Sequence, residues 1–246
     1  MTDAHWPLTW ITEAKLTEIC CELLEEAKPK SQDLDYRNIV DPFSALFDMT
    51  VNQMDYDSWI RSEIRRQQQK SLQNAIGKFH QKVLGAVEGW EDLAVGEIID
   101  LKNDERKIIA EVKNKYNTVK GSDQIGIYEA LANWRGVSTE HRAYTAYYVQ
   151  ILAKKAPFDR PFTPSDHTKA GERPAPSEKI REIDGRSFYE LVTGSKTAID
   201  DLYDVLPGVL SKASRGELDE QKIRKHCMFK DLFNKACITT SLKSRK

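Results

Sequence analysis

The stretch that decides the fold is "EIIDLKNDERKIIAEVKNKYNT", Glu97 to Thr118. Two apolar, β-branched segments, Ile98-Ile99 and Ile108-Ile109, flank "KNDER", whose asparagine and aspartate favour turns, so the stretch predicts a β-hairpin. In a strand, residues i and i+2 point to the same face. Glu111 and Lys113 therefore project together, and an antiparallel partner strand can place Asp100 beside them.

Outward from the hairpin, the apolar period changes from two to about 3.6. Towards the N-terminus, Leu72, Ile76, Phe79, Val83, Leu84 and Val87 form the stripe of a long helix over about 58–87, and "RSEIRRQQQK" before it is polar. Asp41-Pro42 is an N-cap followed by proline at the first helical position, starting a short helix through Phe43, Leu46 and Phe47. Leu16, Ile19, Cys20, Leu23, Leu24 and Ala27 mark another helix over 12–28. Towards the C-terminus, Ser122 is placed to cap a helix with Ile125, Tyr128, Leu131 and Ala132 on one face, and "AYTAYYVQILA" (Ala143 to Ala153) reads as a buried strand. Residues 156–178 hold five of the nine prolines and predict an irregular loop; helical patterns return at "SFYELV", "KTAIDDLYDVL" and "LDEQKIRKHCMFKDLFNKA".

The expectation is one α/β domain over 1–246: a helical part at 1–71, a core at 72–155 with a mixed sheet flanked by helices, the proline-rich loop at 156–178 and a helical part at 179–246. No apolar run reaches bilayer length, and "MTDAHWPLTW" has no basic segment followed by an apolar one, so the expected protein is soluble, cytoplasmic and without a membrane partner. The four cysteines form no Cys-x-x-Cys pair and the five histidines do not fall at zinc-finger spacing around them, which fits reduced, buried thiols. The net charge of −1 shows no basic excess, so any nucleic-acid surface must be local.

An acid-x-Lys triplet alone carries no information, since Glu13 to Lys15, Glu26 to Lys28, Asp100 to Lys102, Glu105 to Lys107 and Glu220 to Lys222 are also such triplets. Glu111 differs in its setting, after Ile108-Ile109-Ala110 in a strand and with an acid on the partner strand. Carboxylates of Asp100 and Glu111 with the carbonyl of Val112 suit a hard divalent ion such as Mg²⁺, and Lys113 can position a nucleophile or offset charge on a phosphorane. The same residues also make an ordinary cross-strand ion pair on a half-exposed hairpin, and spacing leaves both readings open.

The arrangement resembles the PD-(D/E)xK nuclease superfamily, with Ile99-Asp100 where a proline-acid pair often stands and Glu111-Val112-Lys113 as the acid-x-Lys. "NAIGKFHQKVLG", "GWEDL", the hairpin through "KGSD", and "IDGRSFYELVTG" together resemble type II restriction endonucleases of the group that cuts GGNCC-type sites. The resemblance implies Mg²⁺-dependent cleavage of double-stranded DNA at a short palindromic GC-rich site. It assigns Asp100 and Glu111 as metal ligands and Lys113 as the catalytic lysine, leaves 5′-phosphate ends, and serves restriction-modification defence. A palindrome is met by a two-fold homodimer. Glu97 and Asp92 are alternative carboxylates ranked below Asp100.

In such nucleases a preceding helix often contributes a polar residue beyond the metal's direct ligands; His80 and Gln81 are the candidates within the resembling block, with Glu88 behind them. Asn114, Lys115, Asn117, Thr118 and Lys120 follow the lysine and suit phosphate contacts. Guanine reading calls for arginine or lysine. Of Arg160, Asp166, His167, Lys169, Arg173, Arg181, Arg186 and Lys196, Arg186 lies in the second resembling block. Two other readings are a repair or structure-specific nuclease on the same core and a non-enzymatic helical interaction protein.

Overall fold

Thr12 starts the first helix, α1 (Glu13–Ala27), by accepting the Lys15 amide at 3.2 Å, a cap worth about 1 kcal/mol. Leu16, Ile19, Cys20 and Leu23 go into the core at the expected spacing. Residues 6–28, 40–93, 99–117, 119, 123–166, 169, 171–216 and 233 are described by the structure, a computed structural model. Asp41 caps α2 (Pro42–Val51) through the Phe43 amide at 2.9 Å, with Pro42 at the first turn as the sequence predicts. The apolar face of α2 points outward, however: Phe43, Leu46, Phe47 and Val51 are all exposed.

The long helix α3 (Tyr56–Gly85) crosses the expected boundary at residue 71. Val83 and Leu84 from its stripe are fully buried, while Leu72 and Ile76 stay half-open and line a groove against α1. Its polar N-terminal half also contributes to the core edge, where Glu63 is buried and held by Arg66 at 2.6 Å and Gln67 at 3.1 Å.

The predicted hairpin is present as β2 (Leu101–Asn103) and β3 (Ile108–Lys115), antiparallel with Leu101 opposite Ala110. Asn103 stabilises the turn by accepting the Arg106 amide at 2.8 Å, and Lys107 adopts φ of 52° to close it. The sheet has six strands, ordered β1 (Glu91–Asp92), β2, β3, β4 (Thr145–Leu152), β6 (Ile180–Asp184) and β5 (Asp159–Pro161). The β3–β4 and β4–β6 pairs are parallel and the other pairs antiparallel, giving the expected mixed sheet.

Alternation along β3 divides the core. Ile108, Ala110 and Val112 face α1, α3, α6 (Gly185–Thr193) and α7 (Ala198–Ala213), whereas Ile109 faces α4 (Gln124–Gly136) with Tyr148, Leu131 and Phe162. Each fully buried Leu or Ile in these layers contributes about 1.5–3 kcal/mol. A four-residue helix, α5 (Thr139–Arg142), leads from α4 into β4.

Three expectations change. The helical reading of 179–246 misses β6, because "IREID" is too short to show a period; it becomes a strand by parallel pairing with β4. The loop at 156–178 contains β5, an edge strand, which is where proline is tolerated in a sheet. Helix α7 runs on through Pro207 to Ala213, where packing of Leu202, Val209 and Ala213 offsets the lost hydrogen bond. Ser122 lies outside the described residues; Asp123 stands at the N-cap of α4 without a side-chain cap bond. Of the last predicted helix only Phe233 is described, stacked on Tyr203 at 4.1 Å.

Candidate active site

Asp100 lies just before β2, where its amide donates to the Ala110 carbonyl at 3.0 Å and holds it in the ladder. Its side chain then takes the next rung: Oδ2 accepts the Val112 amide at 2.7 Å. A carboxylate thus stands where a strand carbonyl would, fixed against β3. Since N–H and C=O of one strand residue face the same edge, the Val112 carbonyl also faces the Asp100 side.

Glu111 and Lys113 project from one face of β3 as predicted and form an ion pair with each other. Glu111 and Asp100 also act on each other, and with two like charges this close, ionising both carboxyls is unfavourable. Burial, and next the charge of Asp100, push the Glu111 carboxyl up to about 7, with Lys113 opposing. Burial likewise raises Asp100, opposed by the Val112 amide and then by Lys113. A half-exposed surface ion pair would show the reverse, since its carboxylate would be stabilised in the charged form.

Two half-buried carboxylates that cannot both ionise comfortably, next to a backbone carbonyl, form an all-oxygen donor set short of positive charge. That chemistry fits a hard divalent ion that keeps several waters. Among the described residues no cluster of three or more His, Cys, Asp or Glu side chains is placed to hold a metal.

Asp92, the alternative carboxylate, stands on β1 opposite Leu101 and its charge reaches Asp100, raising it further. Gln81 donates to Asp92 at 2.8 Å, so Gln81 reaches the carboxylate pair only through the charge of Asp92. Gly85 makes this possible: a Cβ there would meet the Asp92 Cβ at 2.7 Å, so only glycine lets the end of α3 approach β1 this closely.

His80 is placed differently. Its Nδ1 meets the Tyr189 hydroxyl at 2.8 Å, among Trp10 and Phe79, and burial lowers its pKa to about 4. It is a neutral, half-buried histidine bonded to Tyr189 of α6 and not to either carboxylate. Glu88 is an exposed helix-end residue, and Glu97 lies outside the described residues.

With this geometry in view, comparison with known proteins is decisive. A sequence profile of the Eco47II restriction endonucleases matches residues 8–214. The chain belongs to the Eco47II restriction endonuclease family. It is 43% identical to the type II restriction enzyme Eco47II of Escherichia coli over 221 residues, 87% of this chain and 91% of that one. It is 30% identical to the type II restriction enzyme Sau96I of Staphylococcus aureus over 216 residues, covering 84% and 80% of the two chains. This restriction endonuclease is therefore a site-specific deoxyribonuclease of a restriction-modification system, acting on double-stranded DNA. Type II restriction endonucleases generally work with a divalent metal ion. Among the described residues no helix is long and apolar enough to cross a membrane.

The residues expected to touch DNA are placed unevenly in the endonuclease. Lys115 and Asn117 are exposed at the end of β3, just beyond Lys113, and Asn114, from the opposite face, lines the apolar groove, whose rim Lys115 also reaches. Thr118, Lys120 and His167 lie outside the described residues. Arg186 is engaged by Asp200, so reading a base would require it to exchange that partner. Arg160 and Arg181 are likewise paired, with Glu182 and Asp159, each at 2.7 Å.

The sequence reading missed the polar residues that β4 and β6 add to this face. The parallel register sets Tyr148 beside Glu111, Gln150 beside Lys113 and Glu182 beside Tyr148. The signal was present in the parity of Tyr148 and Gln150 within "AYTAYYVQILA", but it becomes readable only once β4 is known to lie parallel to β3.

Proposed function

We propose that Asp100, Glu111, Val112 and Lys113 form the centre at which this endonuclease hydrolyses one phosphodiester per strand, with Mg²⁺ as the metal. The observation that carries the reading is the Asp100–Glu111 pair of half-buried carboxylates, both pushed up by loss of water, beside Lys113 in a chain of this family. Asp100, Glu111 and the Val112 carbonyl would hold the ion. When bound, it supplies a water of lowered pKa and offsets charge on the phosphorane. Asp100 is aimed by the Val112 amide, so the ligand geometry is set before DNA arrives. Lys113, on the same face as Glu111, keeps its ammonium where it orients the attacking water and faces the phosphoryl oxygens. Gln81, through Asp92, steadies the carboxylate side, and Lys115 and Asn117 contact the phosphate backbone beyond Lys113.

The resembling sequence blocks favour a short palindromic GGNCC-like site cut to 5′-phosphate ends, and a palindrome favours a homodimer with one such centre per strand. The chain as a whole then acts as a single endonuclease domain. The test is digestion of unmethylated plasmid with Mg²⁺ or with EDTA, followed by sequencing of the ends. Discrete ends at one symmetric GC-rich motif are expected, lost in EDTA and in Lys113→Ala. Normal cutting by Lys113→Ala would overturn the site, and cutting in EDTA would overturn the metal.

A further inference from the structure

Gln150 lies on the catalytic face. β3 and β4 are parallel, with Glu111 beside Tyr148 and Lys113 beside Gln150, and paired residues of neighbouring strands share a face. The side-chain clusters confirm the parity: Ile109, Ala146 and Tyr148 pack together on this side, and Val112, Val149 and Ile151 on the other. Gln150 is therefore the lateral neighbour of the catalytic lysine.

Its orientation is fixed from the far side. Gln150 is only 8% exposed, and its Nε2 faces Glu182 Oε2 at 3.4 Å. Glu182 in turn accepts from Arg160 Nε at 2.7 Å. A carboxylate so held can only accept, so the amide nitrogen must turn towards β6 and the amide oxygen away from it, towards β3. That oxygen has no hydrogen-bond partner among the described residues. On the same face, one row away, the Tyr148 hydroxyl is buried without a partner, between Glu111 and Glu182 in the adjacent strands. The open amide oxygen of Gln150 and this buried hydroxyl together leave polar capacity on the side of Lys113 that the strands themselves do not fill.

We propose that Gln150 is a positioning residue for Lys113, its side-chain oxygen holding the lysine ammonium in line with the attacking water when Glu111 serves as a metal ligand. This rests on the assignment of Lys113 above. In the absence of the ion Lys113 leans on Glu111. Once the Glu111 oxygens are committed elsewhere, the ammonium needs another acceptor to keep its aim, and the neighbouring strand presents one. Arg160 and Glu182 complete the relay by fixing which end of the amide faces β3.

The test uses the full chain and a short duplex containing the site found by plasmid digestion. Gln150→Leu keeps the volume and removes the acceptor, and Gln150→Glu restores an acceptor. Gln150→Leu is expected to slow single-turnover cleavage about ten- to a hundredfold. Duplex affinity in Ca²⁺ should stay within about twofold and the thermal midpoint within a few degrees, with Gln150→Glu recovering much of the rate. The ¹⁵N-edited ammonium signal of Lys113, sharp in the wild type when the duplex and Ca²⁺ are bound, should broaden in Gln150→Leu. Wild-type cleavage by Gln150→Leu, or equal rates for the Leu and Glu variants, would overturn the proposal. If Gln150→Leu does not fold, Gln150→Asn, which keeps the amide but withdraws its oxygen by one methylene, carries the same expectation and the same refutation. Lys113→Ala run alongside separates the two failures, since normal cutting by that variant removes the site assignment itself.

Discussion

Replacing Glu111 by glutamine separates a metal site from a structural ion pair, because the two predict opposite signs. In the folded chain the Glu111 carboxyl is raised from an ordinary 4.5 to about 7, by burial first and by the charge of Asp100 second. A carboxyl raised on folding binds its proton more tightly in the folded state. Its stabilising contribution is therefore complete below about pH 4.5 and is lost as pH climbs through about 7. At 1.36 kcal/mol per pH unit, the step from 4.5 to about 7 corresponds to about 3 kcal/mol of stability missing at pH 8. Because Asp100 and Glu111 influence each other's ionisation, that figure belongs to the pair. Glutamine cannot ionise, so in EDTA at pH 8 Glu111→Gln is expected to be more stable than the wild type by about 2–3 kcal/mol, a midpoint rise of roughly 5–10 °C for a chain of this size. At pH 5, where the wild-type group already carries its proton, the gain should shrink below about 1 kcal/mol. Mg²⁺ should raise the midpoint of the wild type and not of the variant, and cleavage should vanish. Thermal unfolding followed by circular dichroism at both pH values, with and without Mg²⁺, gives all these numbers. A variant that is less stable than the wild type by similar amounts at pH 5 and pH 8 would mean that Glu111 serves Lys113 as an ion-pair partner and that the metal reading is wrong.

Tyr189→Phe leaves the buried His80 Nδ1 without its 2.8 Å partner and should lower stability by about 1–3 kcal/mol in denaturant titrations. Its cleavage rate per folded molecule should hold, and a selective loss of rate would return His80 to the catalytic apparatus. Gly85→Ala forces a Cβ to within 2.7 Å of Asp92 Cβ and should cost about 1–3 kcal/mol while weakening the Mg²⁺-dependent rise in midpoint, because Asp92 and Gln81 shift together. An unchanged Mg²⁺ response would detach that pair from the site. Asp184→Ala removes a buried cap that accepts the Ser187 amide at 3.1 Å and the Phe158 amide at 2.6 Å, and should cost about 2–4 kcal/mol by chemical denaturation. A loss under 1 kcal/mol would show that β6 and α6 are held by packing alone.

Much of the strand that carries the proposed site was written in local sequence. Alternation put Glu111 and Lys113 on one face, the "KNDER" turn brought Asp100 across to them, and the caps at Thr12 and Asp41 lie within a residue or two of the helices they start. These features depend on neighbours a few positions apart, so the period and the turn chemistry fix them before any long-range contact forms. The sequence by itself could not decide whether the acid-x-Lys was a surface pair or a site, because the same spacing serves both. Burial bears on that, and burial belongs to the tertiary structure: only in the assembled sheet do Asp100 and Glu111 lose enough water for both carboxyls to be pushed up. Nor could local pattern reveal β6, whose five residues are too few for a period, or the placement of Gln150 beside Lys113, which needs the parallel register of two strands about forty residues apart. His80 shows the same limit from the other side: its position in the chain pointed to the site, and its contacts with Tyr189 and Phe79 hold it against α6 instead.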